Sequence, residues 1–211
     1  LINYTRGLLL VEAQIRNLLV IGVDVVPLAS SARKAGYQVC AVDYFGDQDL
    51  EHLCHENQSI VKQRIGETCG QLDKDFSPEA LLQLAKDLTR KVEIDAVLLS
   101  SGLDDSPDVL FELDDLIPIL GNHPNVVKKV RDKMKFFQEL ERLGISHPET
   151  AVAGNLEEAR KEAKNIGYPV MTKPSKSFGG AGVRKAENPQ ELEQAFQDAS
   201  HIDETVLIQE Y

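Results

Sequence analysis

The chain has 211 residues, room for one large domain or two small ones, and its 42% hydrophobic and 27% charged residues can build a real core. A net charge of −11 argues against general nucleic-acid binding and against docking on an anionic membrane surface, so any phosphate site must be assembled from local basic groups. No apolar run approaches the roughly 18 residues of a membrane span, and three cysteines (Cys40, Cys54, Cys69) without a C-x-x-C spacing point to a reducing cytoplasm rather than a disulfide framework.

Residues 1–16 interrupt an apolar pattern with Arg6, Glu12 and Arg16 and read as an N-terminal arm, a poor signal peptide. Asn17 to Val26 is a near-continuous apolar run, as expected of a strand buried on both faces. Pro27 and Leu28 open a helix over Ala29–Ala35, Gly36 stops it, and Tyr37–Tyr44 is a second strand. Strand, helix, strand in so short a span predicts a βαβ unit and a parallel sheet. Its first turn, Gly22 to Pro27, lacks G-x-G-x-x-G, which disfavours a dinucleotide site. Phe45 to Phe76 is polar and without clear period. Within it His52, Cys54 and His55 match no common structural zinc spacing and read as a surface or partly buried cluster without metal. Ser77-Pro78 starts a helix with Leu81, Leu84, Ala85 and Leu88 on one face, and Ile94–Leu99 is a third strand. That strand ends in Ser100-Ser101-Gly102 with Asp104 and Asp105 beyond, which fits either a ligand-facing loop or a plain turn. Ser106-Pro107 caps another helix whose Val109, Leu110, Leu113, Leu116, Ile117 and Leu120 face inward.

Residues 17–121 are thus expected to form an open α/β, Rossmann-like domain with a parallel sheet. Residues 122–150 are expected to be a linker and a single long helix, capped by Asn125 and running to Leu143, with Val127, Val130, Met134, Phe137 and Leu140 on its apolar face. Lys128, Lys129, Arg131, Lys133 and Lys135 make its first half basic, and Lys133 flanks the apolar face, where it could point into a cleft or simply meet solvent. Residues 151–211 read as a small α+β unit. Thr150–Ala153 is a strand, and a helix capped by Asn155 runs to Ile166. A strand over Pro169–Thr172 delivers Lys173 to a loop of Ser and Gly, and Val183 resumes an extended pattern. Asn188-Pro189-x-Glu191 begins a helix, and Glu204–Gln209 is a last strand. A loop of small residues can aim N–H groups at phosphate oxygens. The P-loop order is absent, however, and the loop alone is equally a hairpin turn with a solvated lysine.

Three blocks in order then carry a resemblance: Arg131-Asp132-Lys133 running into Gly144-Ile145-Ser146-His147-Pro148-Glu149-Thr150; Tyr168 to Ser175 followed by Gly179-Gly180-Ala181-Gly182-Val183; and Val206 to Tyr211. Together they resemble the first part of an ATP-grasp enzyme, with residues 17–121 similar to the domain that precedes that module and 151–211 to its lid subdomain. The resemblance implies that Lys133 reaches the nucleotide phosphates and that Lys173 contacts the phosphates and the base region. Ser175 to Gly182, including Ser175, Ser177, Gly179, Gly180 and Gly182, would be a mobile lid over the β- and γ-phosphates, and Gln209, Glu210 and Tyr211 a hinge that pairs with adenine largely through backbone groups. Lys176 and Phe178 are either lid contacts or solvent-facing. ATP and Mg²⁺ are the implied cofactors. The metal ligands, the catalytic arginine and most of the acceptor site are expected beyond Tyr211, so neither a catalytic residue nor a metal ligand is assigned here. The implied chemistry is phosphorylation of a carboxylate, bicarbonate or carbamate to an acyl phosphate, then attack by a nucleophile. The alternative is a module that binds nucleotide for regulation or assembly. Partners would be ATP and a small carboxylate, without nucleic acid or membrane, with a homodimer an open alternative.

Overall fold

Four parallel strands carry the first half of the chain. The computed structural model describes residues 15–64, 66, 75–177 and 179–211. The elements in order are β1 (Asn17–Gly22), α1 (Val26–Lys34), β2 (Gln38–Asp43), α2 (Asp49–Leu53), β3 (Glu56–Ser59), α3 (Pro78–Thr89), β4 (Ala96–Leu99) and α4 (Pro107–Leu116). The sheet order is β3-β2-β1-β4, every pairing is parallel, and β1 lies between β2 and β4. Both faces of this sheet are covered, which is why β1 and β2 read as unbroken apolar runs. Leu19, Ile21, Cys40, Val42 and Val97 point to one side and pack with Leu81, Leu88, Leu110 and Leu113 of α3 and α4. Leu18, Val20, Val39, Ala41 and Ala96 point to the other, against Ala29, Ala32 and Leu50.

Two expectations about this half need correction. The polar stretch after Phe45 holds α2 and the edge strand β3, Glu-Asn-Gln-Ser. An edge strand with little burial carries no apolar alternation, so periodicity could not find it. The face expected over 109–120 is also shorter than one helix. Helix α4 ends at Leu116, which is 41% exposed, while Ile119 leaves the helix and bridges Val97 in parallel. The Asp114 carboxylate accepts the Ile119 N–H at 3.0 Å and so helps to end the helix there. Of the three cysteines, Cys69 lies outside the described residues.

The chain divides into two compact units at Val127/Lys128. The single long helix expected over 125–143 is two: α5 (Pro124–Arg131) and α6 (Lys133–Arg142), separated by Asp132. Asp132 has extended backbone dihedrals, and its side chain accepts the Lys135 N–H, so it acts as the N-cap of α6. A capping residue in mid-pattern interrupts the helix without disturbing the apolar spacing, which is why the spacing suggested one element. Asn125 falls inside α5 and is not its cap. The predicted inward face is not buried either: α6 has no buried residue and Val130 is half exposed.

The second unit continues with β5 (Thr150–Ala153), α7 (Leu156–Ile166), β6 (Val170–Pro174), β7 (Arg184–Ala186), α8 (Pro189–Ser200) and β8 (Val206–Glu210). Its sheet order is β5-β8-β6-β7, antiparallel throughout. The expected caps are present. Asn155 accepts the Glu158 N–H at 2.9 Å, and Asn188 accepts from Gln190 and Glu191 while the Glu191 carboxylate accepts the Glu187 N–H in return. Successive strand residues point to opposite faces. Val170, Ala186, Val206 and Ile208 therefore join Ala159, Ala163, Leu192, Ala195 and Phe196 of α7 and α8 in one core. Thr172 also faces those helices, and its hydroxyl is satisfied by carbonyls of Ala195 and Arg184 at 3.3 and 3.4 Å.

Candidate functional site

The same alternation places Thr150, Lys173, Lys185 and Gln209 on the face turned away from α7 and α8. Register aligns Thr150 with Gln209, Gln209 with Met171, Leu207 with Lys173, and Met171 with Lys185. Lys173 is diagonal to Gln209 across the β6/β8 pair, a separation that long side chains span, and its Nζ donates to Gln209 Oε1. Gln209 is 4% exposed, and its other end donates from Nε2 to Thr150 Oγ1 at 2.7 Å. Buried polar groups are stabilising only when their bonds are made; here both ends of the amide are used. The partner of Lys173 is a neutral amide, and among the described residues Lys173 makes no ion pair.

Lys133 arrives from another element. It is the first residue of α6, held by the Asp132 cap, and its Nζ donates to Pro174 O at 2.9 Å and lies 3.3 Å from Ser177 Oγ. Lys133 thus sits at the carboxyl end of β6, where the glycine loop begins, while the Lys173 side chain, one residue before that end, turns back along the sheet toward Gln209. That loop is fastened at its base by Asp203. Its Oδ2 accepts from Ser175 Oγ and from Lys176 N, each at 2.8 Å, while Ser175 N donates to Thr205 O at 2.9 Å. Burial alone would raise the Asp203 carboxyl, but the bonds from Ser175, Thr205 and Lys176 bring it below its ordinary range. The other end closes at Gly182. With φ +70° there, a Cβ would lie 2.6 Å from Ile202 Cδ1 and 2.8 Å from Pro174 Cγ, so only glycine fits. Between these anchors Gly179 and Gly180 have positive φ and open space around them, leaving room for a bulky ligand to approach the backbone. Phe178 lies outside the described residues.

At the end of β8, Glu210 is clasped to the residue before β5: its N–H donates to Glu149 O at 2.8 Å, and its Oε2 accepts from Glu149 N at 3.2 Å. Tyr211 is largely exposed, with the Lys185 Nζ 4.1 Å from its ring centroid.

Comparison with known proteins places this geometry. Residues 132–211 match the family described as carbamoyl-phosphate synthase L chain, ATP binding domain. The carbamoyl phosphate synthase large chain of Methanobrevibacter smithii is 26% identical over 93% of this chain and 20% of its own length. That of Myxococcus xanthus is 37% identical over 39% of this chain and 8% of its own. Among solved structures, the biotin carboxylase domain of Hydrogenobacter thermophilus 2-oxoglutarate carboxylase superposes with a TM-score of 0.71 at 21% identity, covering 93% of this chain and 44% of that one. Biotin carboxylase from Campylobacter jejuni does so with 0.71 at 23% identity, covering 94% and 45%. This chain carries the N-terminal portion of an ATP-grasp fold. It spans about one fifth of the length of the first of these curated relatives.

Within the ATP-grasp portion, the ten residues singled out from sequence fall into three groups. Lys133 with Ser177, and Lys173 with Gln209, form two side-chain pairs along β6. Ser175 and Gly182 serve the anchoring of the loop, and Gly179 and Gly180 its open middle. Glu210 and Tyr211 lie at the end of β8. The structure adds Thr150 and Asp203, which sequence reasoning passed over. Asp203-x-Thr205 carries a usable signal, because an Asp that accepts the N–H two residues on (3.2 Å here) forms an Asx-turn. Thr150 carries none, since its role depends on which strand lies beside it.

The His52, Cys54 and His55 group belongs to the first unit, where burial pushes the Cys54 thiol up to about 11. Among the described residues no group of His, Cys, Asp and Glu is arranged to hold a metal ion.

Proposed function

We propose that this chain is the ATP-binding portion of a ligase that phosphorylates a carboxylate, bicarbonate or carbamate to an acyl phosphate for attack by a nucleophile. The observation that carries the reading is a glycine loop, in an ATP-grasp fold, whose root strand β6 bears Lys173 and receives Lys133 from a separate element at Pro174 O. A triphosphate carries about four negative charges, and two lysines with a ring of backbone N–H groups offset part of that in a sheltered cleft. In this reading Ser175, Ser177, Gly179, Gly180 and Gly182 form the lid, and closing it over the γ-phosphate shields an acyl phosphate from water. Gln209, Glu210 and Tyr211 border the base. Because the Glu210 N–H is held by Glu149 O and the Gln209 amide by Lys173 and Thr150, pairing with adenine falls to other backbone groups of the hinge. Mg²⁺ carried in with the nucleotide would offset phosphate charge; no metal ligand is assigned to this chain.

Residues 17–121 are proposed as the domain preceding the ATP-grasp module. We place the protein in the cytoplasm on the strength of the free cysteines Cys40 and Cys54. Separately, no helix among the described residues is long and apolar enough to cross a membrane. A homodimer is the assembly to test first, since the 2-oxoglutarate carboxylase domain is described as a dimer.

Calorimetric titration with ATP tests the site. Lys173→Met and Lys133→Met are each expected to weaken ATP by about tenfold or more, one charge-assisted contact apiece, while Lys133→Met leaves adenosine nearly unchanged. Wild-type affinity in both variants would remove the assignment. In the intact protein, ADP release that depends on added bicarbonate or a carboxylate separates a ligase from a regulatory module.

A further inference from the structure

The geometry points to Thr150 as a positioning residue for Lys173, acting through Gln209, an inference that rests on the ATP reading above. Pro148 O is a carbonyl oxygen and can only accept, and Thr150 Oγ1 lies 2.8 Å from it, so the single hydroxyl proton of Thr150 is committed there. His147 Nδ1, 3.0 Å from the same carbonyl, can likewise only donate to it. Thr150 Oγ1 is left with lone pairs to offer in the other direction. The Gln209 side chain must then turn its NH₂ toward Thr150, at 2.7 Å, and that places its carbonyl Oε1 against Lys173 Nζ. The opposite flip would set an amide NH₂ against an ammonium and a carbonyl against a hydroxyl lone pair, two repulsive contacts in place of two bonds. A side-chain amide has no orientation of its own, so its neighbours decide it. Here both neighbours agree: the Lys173 ammonium can only donate and takes Oε1, and the Thr150 hydroxyl, placed by the Thr150/Gln209 register, gives the buried NH₂ its acceptor and holds the amide from its other end.

Two consequences follow for phosphate binding. Lys173 is held by an acceptor on β8 rather than left to sample its rotamers, so less entropy is lost when a phosphate arrives. The acceptor is also uncharged, so Lys173 keeps its full cationic charge for the ligand, whereas a carboxylate there would spend part of it on an ion pair. Gln209 is nearly enclosed, at 4% exposed, so water cannot readily stand in for the hydroxyl if it is removed.

The test compares ATP with adenosine on the 211-residue chain, since only ATP presents phosphates to Lys173. Thr150→Val is close to isosteric and removes the hydroxyl, and Thr150→Ser keeps it. Thr150→Val is expected to weaken ATP about fivefold while adenosine changes less than about twofold, and Thr150→Ser to restore wild-type ATP binding. Gln209→Glu, which puts a carboxylate beside Lys173, is expected to weaken ATP about threefold. Equal losses for ATP and adenosine in Thr150→Val would make Thr150 merely structural and overturn the proposal, as would an unchanged ATP affinity. Lys173→Met separates the two levels. If it weakens ATP while Thr150→Val does not, the relay falls and the nucleotide site stands. If the wild-type chain binds no ATP, both fall together.

Discussion

Asp43 shows how a single residue couples the parallel sheet to pH. It ends β2 fully enclosed, and its carboxylate accepts the backbone N–H groups of Phe45 and Gly46 at 3.1 and 3.0 Å. Burial raises its carboxyl from 3.8 to about 6; the Gly46 and Phe45 N–H groups work against the rise, and the nearby Asp47 and Asp24 add to it. An acid whose folded value lies above its unfolded value holds its proton longer in the folded state. Its contribution to stability is complete below the unfolded value and is lost as pH rises through about 6. Asp43→Asn, which keeps a carbonyl for the two N–H groups and cannot ionise, is expected to flatten this loss. Urea midpoints of wild type and variant should diverge between about pH 4 and 6 and run parallel above that, with the variant ahead by ~1–3 kcal/mol at neutral pH. Parallel pH profiles would refute this account of Asp43.

Among the elements, α6 and the glycine loop are each set by one residue whose backbone role outweighs its side-chain class. Asp132 interrupts a basic amphipathic stretch and caps α6, and Lys133 is placed by that interruption. Asp132→Ala is expected to cost ~1 kcal/mol through the lost cap, whereas Asp132→Asn should recover most of it. Calorimetric melting of the variants checks this, and the Ala variant should also bind ATP more weakly because Lys133 is no longer fixed. Gly182 closes the loop against Pro174 and Ile202 with a positive φ. Gly182→Ala is expected to destabilise the second unit by ~1–3 kcal/mol, since both the dihedral and the contact distances oppose a Cβ. Gly180→Ala, where no atom lies within 4 Å, carries only the dihedral penalty and should melt closer to wild type.

At the scale of the molecule, the two units have separate cores. Leu110, Leu113 and Leu81 pack against the parallel sheet, and Leu192, Phe196 and Ile208 pack on the antiparallel one. Leu192→Ala is expected to cost ~2–5 kcal/mol, the usual cost of truncating a fully buried leucine. Amide hydrogen exchange should show that loss across β5 to β8 while β1 to β4 keep their protection. Equal deprotection of both sheets would show that the chain unfolds as one unit.

What the sequence alone determined was local. Buried parallel strands announced themselves as apolar runs at Leu18–Ile21 and Val39–Val42, and helix starts as Ser77-Pro78, Asn155 and Asn188-Pro189 with Glu191, because burial on two faces and capping each use residues close together in the chain. The order of the three ATP-grasp blocks was equally legible, and the comparisons agree with it. The edge strand Glu56–Ser59 was not, since a strand with little to bury shows no period. The break at Asp132 was not, because a cap can sit inside an apolar repeat without disturbing it. Above all, the sequence could nominate Lys173 and Gln209 but could not say that they meet. Tertiary structure decided that, through the β6/β8 register, and it alone brought Thr150 beside Gln209 from 59 residues away. A hydrogen-bond chain across strands depends on register, and register is a property of the folded sheet.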